Sequence, residues 1–177
     1  MSYVQEQVAE KVDATAMAQL LGLAITATFL PFIIHIQWIT GPLVNALLIL
    51  ILFIVGIRSA LIMCVVPSLM ALAGGLLPLA LAPVIPFIMI GNMIFILCID
   101  YFYRSSKKQL TGYWVGVFLG GALKFLFIWL NANLMIRLIM HNELGAAIAK
   151  LISWPQFATA IVGGAIAWGI LKWLKRI

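Results

Sequence analysis

The chain has 177 residues, 65% hydrophobic and 9% charged, with a net charge of +6. A water-soluble domain carries roughly 45–50% apolar and about 25% charged residues, so this composition leaves too little polar surface for a soluble shell and points to an integral membrane protein. A bilayer core of about 30 Å takes about 20 helical residues per crossing, so six crossings fill residues 1–177 as a single membrane domain with no space for a soluble catalytic domain, and the basic excess reads as charge at cytoplasmic helix ends, not as a nucleic-acid surface.

Residues 1–15 are expected as a cytoplasmic N-terminal segment. Glu6, Glu10 and Asp13 make it acidic, whereas a cleavable signal begins with a basic region, so the first apolar run is expected to stay as a span. That span covers about 16–34, with Gln19 as its strongly polar member, and ends at His35, Gln37, Trp38 and Thr40. Residues 43–77 as one helix would be about 52 Å long, more than one bilayer holds. Gly56 and Arg58 mark a hairpin there, giving spans at about 43–56 and 59–74. Gly74, Gly75 and Pro78 break the chain before a fourth span at 79–100, with local unwinding expected near Pro83 and Pro86, because proline frees backbone carbonyls. The fifth span is placed at 112–137 and the sixth at 155–171, with Pro155 in its first turn. In the connector 141–153, Leu144, Ala147, Ile148, Leu151 and Ile152 share one helical face and Glu143 and Lys150 the other. This predicts an amphipathic helix on the outer surface, either a lid or a plain interfacial helix. The expected fold is all-α: a polytopic membrane protein with six transmembrane helices in one compact bundle.

Orientation follows from the basic residues. With the N-terminus cytoplasmic, the inner ends hold Lys11, Arg58, Arg104, Lys107, Lys108, Lys172, Lys175 and Arg176, and the outer ends only Arg137 and Lys150. This is a positive-inside bias and puts both termini inside. Tyr101, Tyr103, Tyr113, Trp114, Trp168 and Trp173 then fall at inner ends, and Trp38, Trp129 and Trp154 towards outer ends, as interfacial belts require. Cys64 and Cys98 lie in apolar stretches without metal-ligand spacing and read as reduced packing residues, so no metal or other cofactor is expected.

In that topology the uncharged polar residues gather on the outer side: His35, Gln37, Thr40 and Asn45 around the first outer loop, Asn131, Asn133 and Arg137 at the end of span five, and Ser153 and Gln156 before and within span six. Polar groups are costly in hydrocarbon unless they meet partners or line a wet cavity, so the pattern suggests a cup open to the outside. Asn92 and Lys124 fall near the membrane midplane and could meet at its base. An intramembrane lysine marks a function by default, such as binding an anion, a proton or a counter-ion. Arg137 is either a second anion contact or an anchor at the outer interface. Trp38, Trp129 and Trp154 offer flat faces on which a ring could stack. At the cytoplasmic half of helix one, Ala14, Ala18 and Gly22 recur every four residues, a spacing that lets another helix approach closely.

Size, six spans, internal termini, an outward polar cup and the Ala14, Ala18 pair together resemble the substrate-binding S component of energy-coupling factor (ECF) transporters. The Ala14, Ala18 spacing is similar to the AxxxA contact motif of that family. The resemblance implies a multi-pass protein of a prokaryotic plasma membrane that captures a small vitamin-like or precursor molecule from outside. It also implies partners: a transmembrane coupling subunit, on which the chain docks through Ala14, Ala18 and Gly22, and two ATPase subunits that supply the energy. The chain itself has no Gly-rich phosphate loop followed by Lys and Ser or Thr, so it is expected to be a transport subunit and not an enzyme. The expected substrate contacts are His35, Gln37, Trp38, Thr40, Asn45, Asn92, Lys124, Asn131, Arg137 and Gln156. The competing reading is a membrane subunit of a redox or ion-translocating complex, with His35 as a haem ligand or Lys124 as a charge relay. A Soret band lost with His35→Ala would favour it.

Overall fold

The computed structural model describes residues 14–34, 36–75, 79–139 and 154–177, and these are helical with turns and no strand. In chain order the helices are α1 (Ala14–Ile33), α2 (Gln37–Ile54), α3 (Ile57–Met63), α4 (Val66–Ala73), a short 3-10 helix (Leu79–Val84), α5 (Ile85–Ser105), α6 (Gln109–Ile139) and α7 (Pro155–Trp173). The connector 141–153, expected as an amphipathic helix, lies outside the described residues.

Local chemistry explains the boundaries. Gly56 sits at φ +124°, a conformation that side-chain-bearing residues avoid, and it separates α2 from α3 where the hairpin is expected. The stretch expected as one span at 59–74 is instead two short helices, with a turn at Cys64 and Val65. Pro67, at the second position of α4, has no N–H to give the Met63 carbonyl, so the α-helical ladder cannot run through that point. The unwinding expected near Pro83 and Pro86 takes the form of the 3-10 helix, which contains Pro83, while Pro86 falls in the first turn of α5, where its missing N–H costs nothing.

α2 is the central helix. Ala46 to Leu52 are buried all round it, so it presents no solvent-facing stripe. It packs along α7, while α5 and α6 form the most extensive helix pair and α1 lies on α2 and α4. Close approaches at glycines give the directions. Gly41 meets Thr159 and Gly163 meets Asn45, so α2 and α7 run parallel; Gly121 meets Ala160 and Gly164 meets Val117, so α6 and α7 run antiparallel. Gly112, Gly116 and Gly120 share one face of α6 at spacings of four and lie against Phe102, Ile99 and Phe95 of α5 in turn, an antiparallel seam in which backbone touches backbone. Tyr113, expected at the inner interface, is fully buried instead, and its hydroxyl donates to the Gly164 carbonyl at 2.6 Å.

The outside of the fold is apolar. Leu21, Ile62, Leu97, Phe118, Leu123 and Leu130 are among the large hydrophobic side chains that stay exposed. Among the described residues two helical stretches, Ala82–Ser105 and Gln109–Met135, are long and apolar enough, by length and composition, to cross a membrane.

Candidate functional site

The polar centre of the molecule is built around Lys124, in the middle of α6 and only 2% exposed. Its ammonium donates to Asn45 Oδ1 at 2.7 Å, and its Nζ lies over the Phe95 ring, 5.5 Å from the centroid. Three helices therefore converge on one charge: α6 carries the lysine, α2 the amide and α5 the aromatic face.

The helix register explains why Asn45, and not Asn92, is the hydrogen-bond partner. Side chains in an α-helix lean towards its N-terminus, so the long stem of Lys124 carries Nζ back along α6 towards the level of Gly120. At that level α5 presents Phe95, and α7, through Gly163, holds Asn45. Gly91 faces the start of the stem: a methyl group there would come to 3.3 Å from Lys124 Cγ and 2.7 Å from Ile128 Cδ1. Asn92 is buried next to Gly91, one turn short of Phe95.

An ammonium has three donors and no acceptor. Among the described residues Asn45 Oδ1 is its hydrogen-bond acceptor. Asp100 is the only acidic side chain among them, and it is paired with Arg104 at 2.8 Å on the partly exposed end of α5. The charge is thus held by a neutral amide and a ring face without a carboxylate partner among the described residues; the buried Cys64 thiol lies near enough to interact with it, but donates to the Ala60 carbonyl. Burying an ion this way is costly unless something else neutralises it.

The remaining expected contacts divide by environment. Thr40 is buried, and its hydroxyl donates to the Ile34 carbonyl at 2.7 Å and to that of Ile36 at 3.1 Å, tying the first turns of α2 to the end of α1. Asn131 is half-buried and donates its amide to the Phe127 carbonyl on its own helix; Asn133 does the same to Trp129. Gln156 is half-buried in the first turn of α7, and its carbonyl accepts from Thr159. Trp38 is exposed and packs against Trp154 with ring centroids 5.2 Å apart, which joins the starts of α2 and α7. Trp129 is exposed on α6. His35 and the side chains of Gln37 and Arg137 lie outside the described residues, as does the side chain of Ala14. Ala18 and Gly22 face outward on α1, and a methyl group at Gly22 would meet nothing within 4 Å.

Among the described residues no group of His, Cys, Asp or Glu side chains converges to hold a metal ion. Cys64 and Cys98 are free thiols; Cys64 is buried and donates to the Ala60 carbonyl. A groove of about 600 Å³ runs along the outer face of α6, lined by Leu110, Thr111, Trp114, Val115, Phe118 and Leu119, away from Lys124.

The site residues that sequence reasoning did not single out are Phe95 and Gly91. Gly120, Gly121, Gly163 and Gly164 read from the sequence as packing residues of the bundle, and all four lie in close contact with neighbouring helices; Gly112 and Gly116 extend the series that fixes α5 against α6. Comparison of the chain with protein-family models, curated proteins and solved structures gives no significant match.

Proposed function

We propose that this chain is a polytopic membrane protein that binds a small solute from outside and serves as the substrate-binding component of an importer, similar to the S components of ECF transporters. The observation that carries the reading is the buried Lys124 ammonium, which three helices hold at the polar centre with a neutral amide as its partner. Such a charge is retained in an apolar interior when it has a function.

Other features support the same reading. Large apolar side chains cover the outside of the fold, as a hydrocarbon solvent requires and water does not. Glycines bring the helices into backbone contact, the packing that associates helices in a bilayer. Basic residues concentrate at one end of the proposed bundle, which supports a cytoplasmic placement of both termini. On α1, Ala18 and Gly22 form an open strip on which a coupling subunit would dock. Two ATPase subunits would supply the energy, and the membrane would be a prokaryotic plasma membrane.

The test is assembly. Ala18→Trp places a large ring on the open strip and is expected to abolish co-purification with a coupling subunit, and uptake with it, while the purified chain stays folded. Unchanged assembly and uptake would remove the transport reading.

A further inference from the structure

Lys124 and Asn45 carry an inference about the charge of what this site takes. It rests on reading the chain as a solute-binding membrane subunit, and it specifies the chemistry of the solute's buried end. An amide is an unusual choice beside a buried ammonium. A carboxylate at position 45 would cancel the charge permanently; Asn45 satisfies one N–H at 2.7 Å and leaves the charge standing. An amide also has a second face. Rotation of its terminal group by half a turn exchanges the acceptor oxygen for a donor NH2 at almost unchanged volume. The same side chain can therefore hold the ammonium in the empty site and join it as a second donor once an anion arrives.

The elements packed around Lys124 fix the charge count. α2 contributes the neutral Asn45 and α5 the apolar Phe95 face together with Gly91; the Cys64 thiol beside α3 donates to the Ala60 carbonyl and adds no charge, while Asp100 is engaged with Arg104 elsewhere on α5. Among the described residues no second cation faces the site, and Arg137, thirteen residues further along α6, is about 20 Å away along the helix axis. One positive charge in an apolar interior is balanced by one negative charge, and a dianion would leave an uncompensated charge buried. We infer that Lys124 and Asn45 form an anion site that takes the single carboxylate of a monoanionic solute, with Lys124 as counter-ion and Asn45 as an amide that turns from acceptor to donor on binding.

The inference is tested on the full chain in detergent micelles with formate and sulfate as probes, read by the side-chain 15N–1H resonances of Asn45. Formate has one charge and two oxygens, enough for both donors; sulfate has two charges. The expected result is a saturable shift of the Asn45 amide with formate, with a midpoint raised about tenfold or more in Lys124→Met, and no matching response to sulfate. Asn45→Asp keeps a partner for the ammonium and should fold with an unfolding midpoint at or above that of the wild type, yet its Lys124 side-chain resonances should not respond to formate. The inference is overturned by no formate response in the wild type, by an equal response in Lys124→Met, by a formate response in Asn45→Asp, or by sulfate binding as well as formate. The transport reading fails separately, through assembly of the Ala18→Trp protein, which involves neither Lys124 nor Asn45.

Discussion

Gly116→Ala puts the smallest side chain on the seam between α5 and α6. Its Cβ would sit 2.7 Å from Ile99 Cα and 3.2 Å from the Cys98 carbonyl oxygen. Carbon atoms are comfortable at about 3.5–4.0 Å, so α5 has to retreat by about 1 Å, and because the obstacle is backbone no rotamer change can relieve it. The seam cannot hinge at this point, since Gly112 lies as tightly against the Phe102 carbonyl and Gly120 against that of Phe95. Overpacking of this kind costs about 1–3 kcal/mol, and the better helix propensity of alanine returns about 1 kcal/mol, for a net loss of up to about 2 kcal/mol. Gly169 is the control. It is exposed on α7 with nothing within 4 Å of an added Cβ, so Gly169→Ala should gain up to about 1 kcal/mol. Unfolding of both variants by a denaturing detergent in mixed micelles, followed by tryptophan fluorescence, gives the two values. Gly116→Ala should therefore fall about 1–3 kcal/mol below Gly169→Ala, and a Gly116→Ala protein as stable as that control would show that α5 and α6 do not meet backbone to backbone.

Two further substitutions separate strong from weak contacts. Tyr113→Phe removes the buried hydroxyl that donates to Gly164 at 2.6 Å and should cost about 0.5–1.5 kcal/mol in the same unfolding assay; no loss would mean that this link between α6 and α7 is absent. Asp100→Asn breaks the pair with Arg104, whose side chain is 68% exposed, and should change stability by no more than about 0.5 kcal/mol; a loss several times larger would mean that Asp100 has a buried partner.

The reasons why parts of this architecture are legible in the sequence, and others are not, are local. Gly56 and the prolines act on their own backbone, so the break after α2 and the irregular start of α5 can be read directly. The turn at Cys64 and Val65 was readable by the same logic from Pro67, yet the apolar run on both sides of it looks continuous. Lys124 stands out as a lone charge in an apolar stretch. Its partner does not, because the partner depends on how far the stem reaches along α6 and on which residue α7 presses into that level. Placing Asn92 opposite Lys124 uses depth alone and ignores the direction in which helical side chains lean. Tyr113 shows the converse error: an aromatic near a helix end suggests an interface, while the Gly164 carbonyl on the neighbouring helix gives its hydroxyl a buried acceptor.

Native mass spectrometry of the full chain, purified without added solute, reads out whether Lys124 holds a solute. A non-lipid small molecule is expected, bound one to one in the wild type, kept in Lys150→Met and lost in Lys124→Met. A wild-type protein that carries no such molecule, or a Lys124→Met protein that retains it at the same occupancy, would contradict the claim that the buried ammonium is where a solute is held.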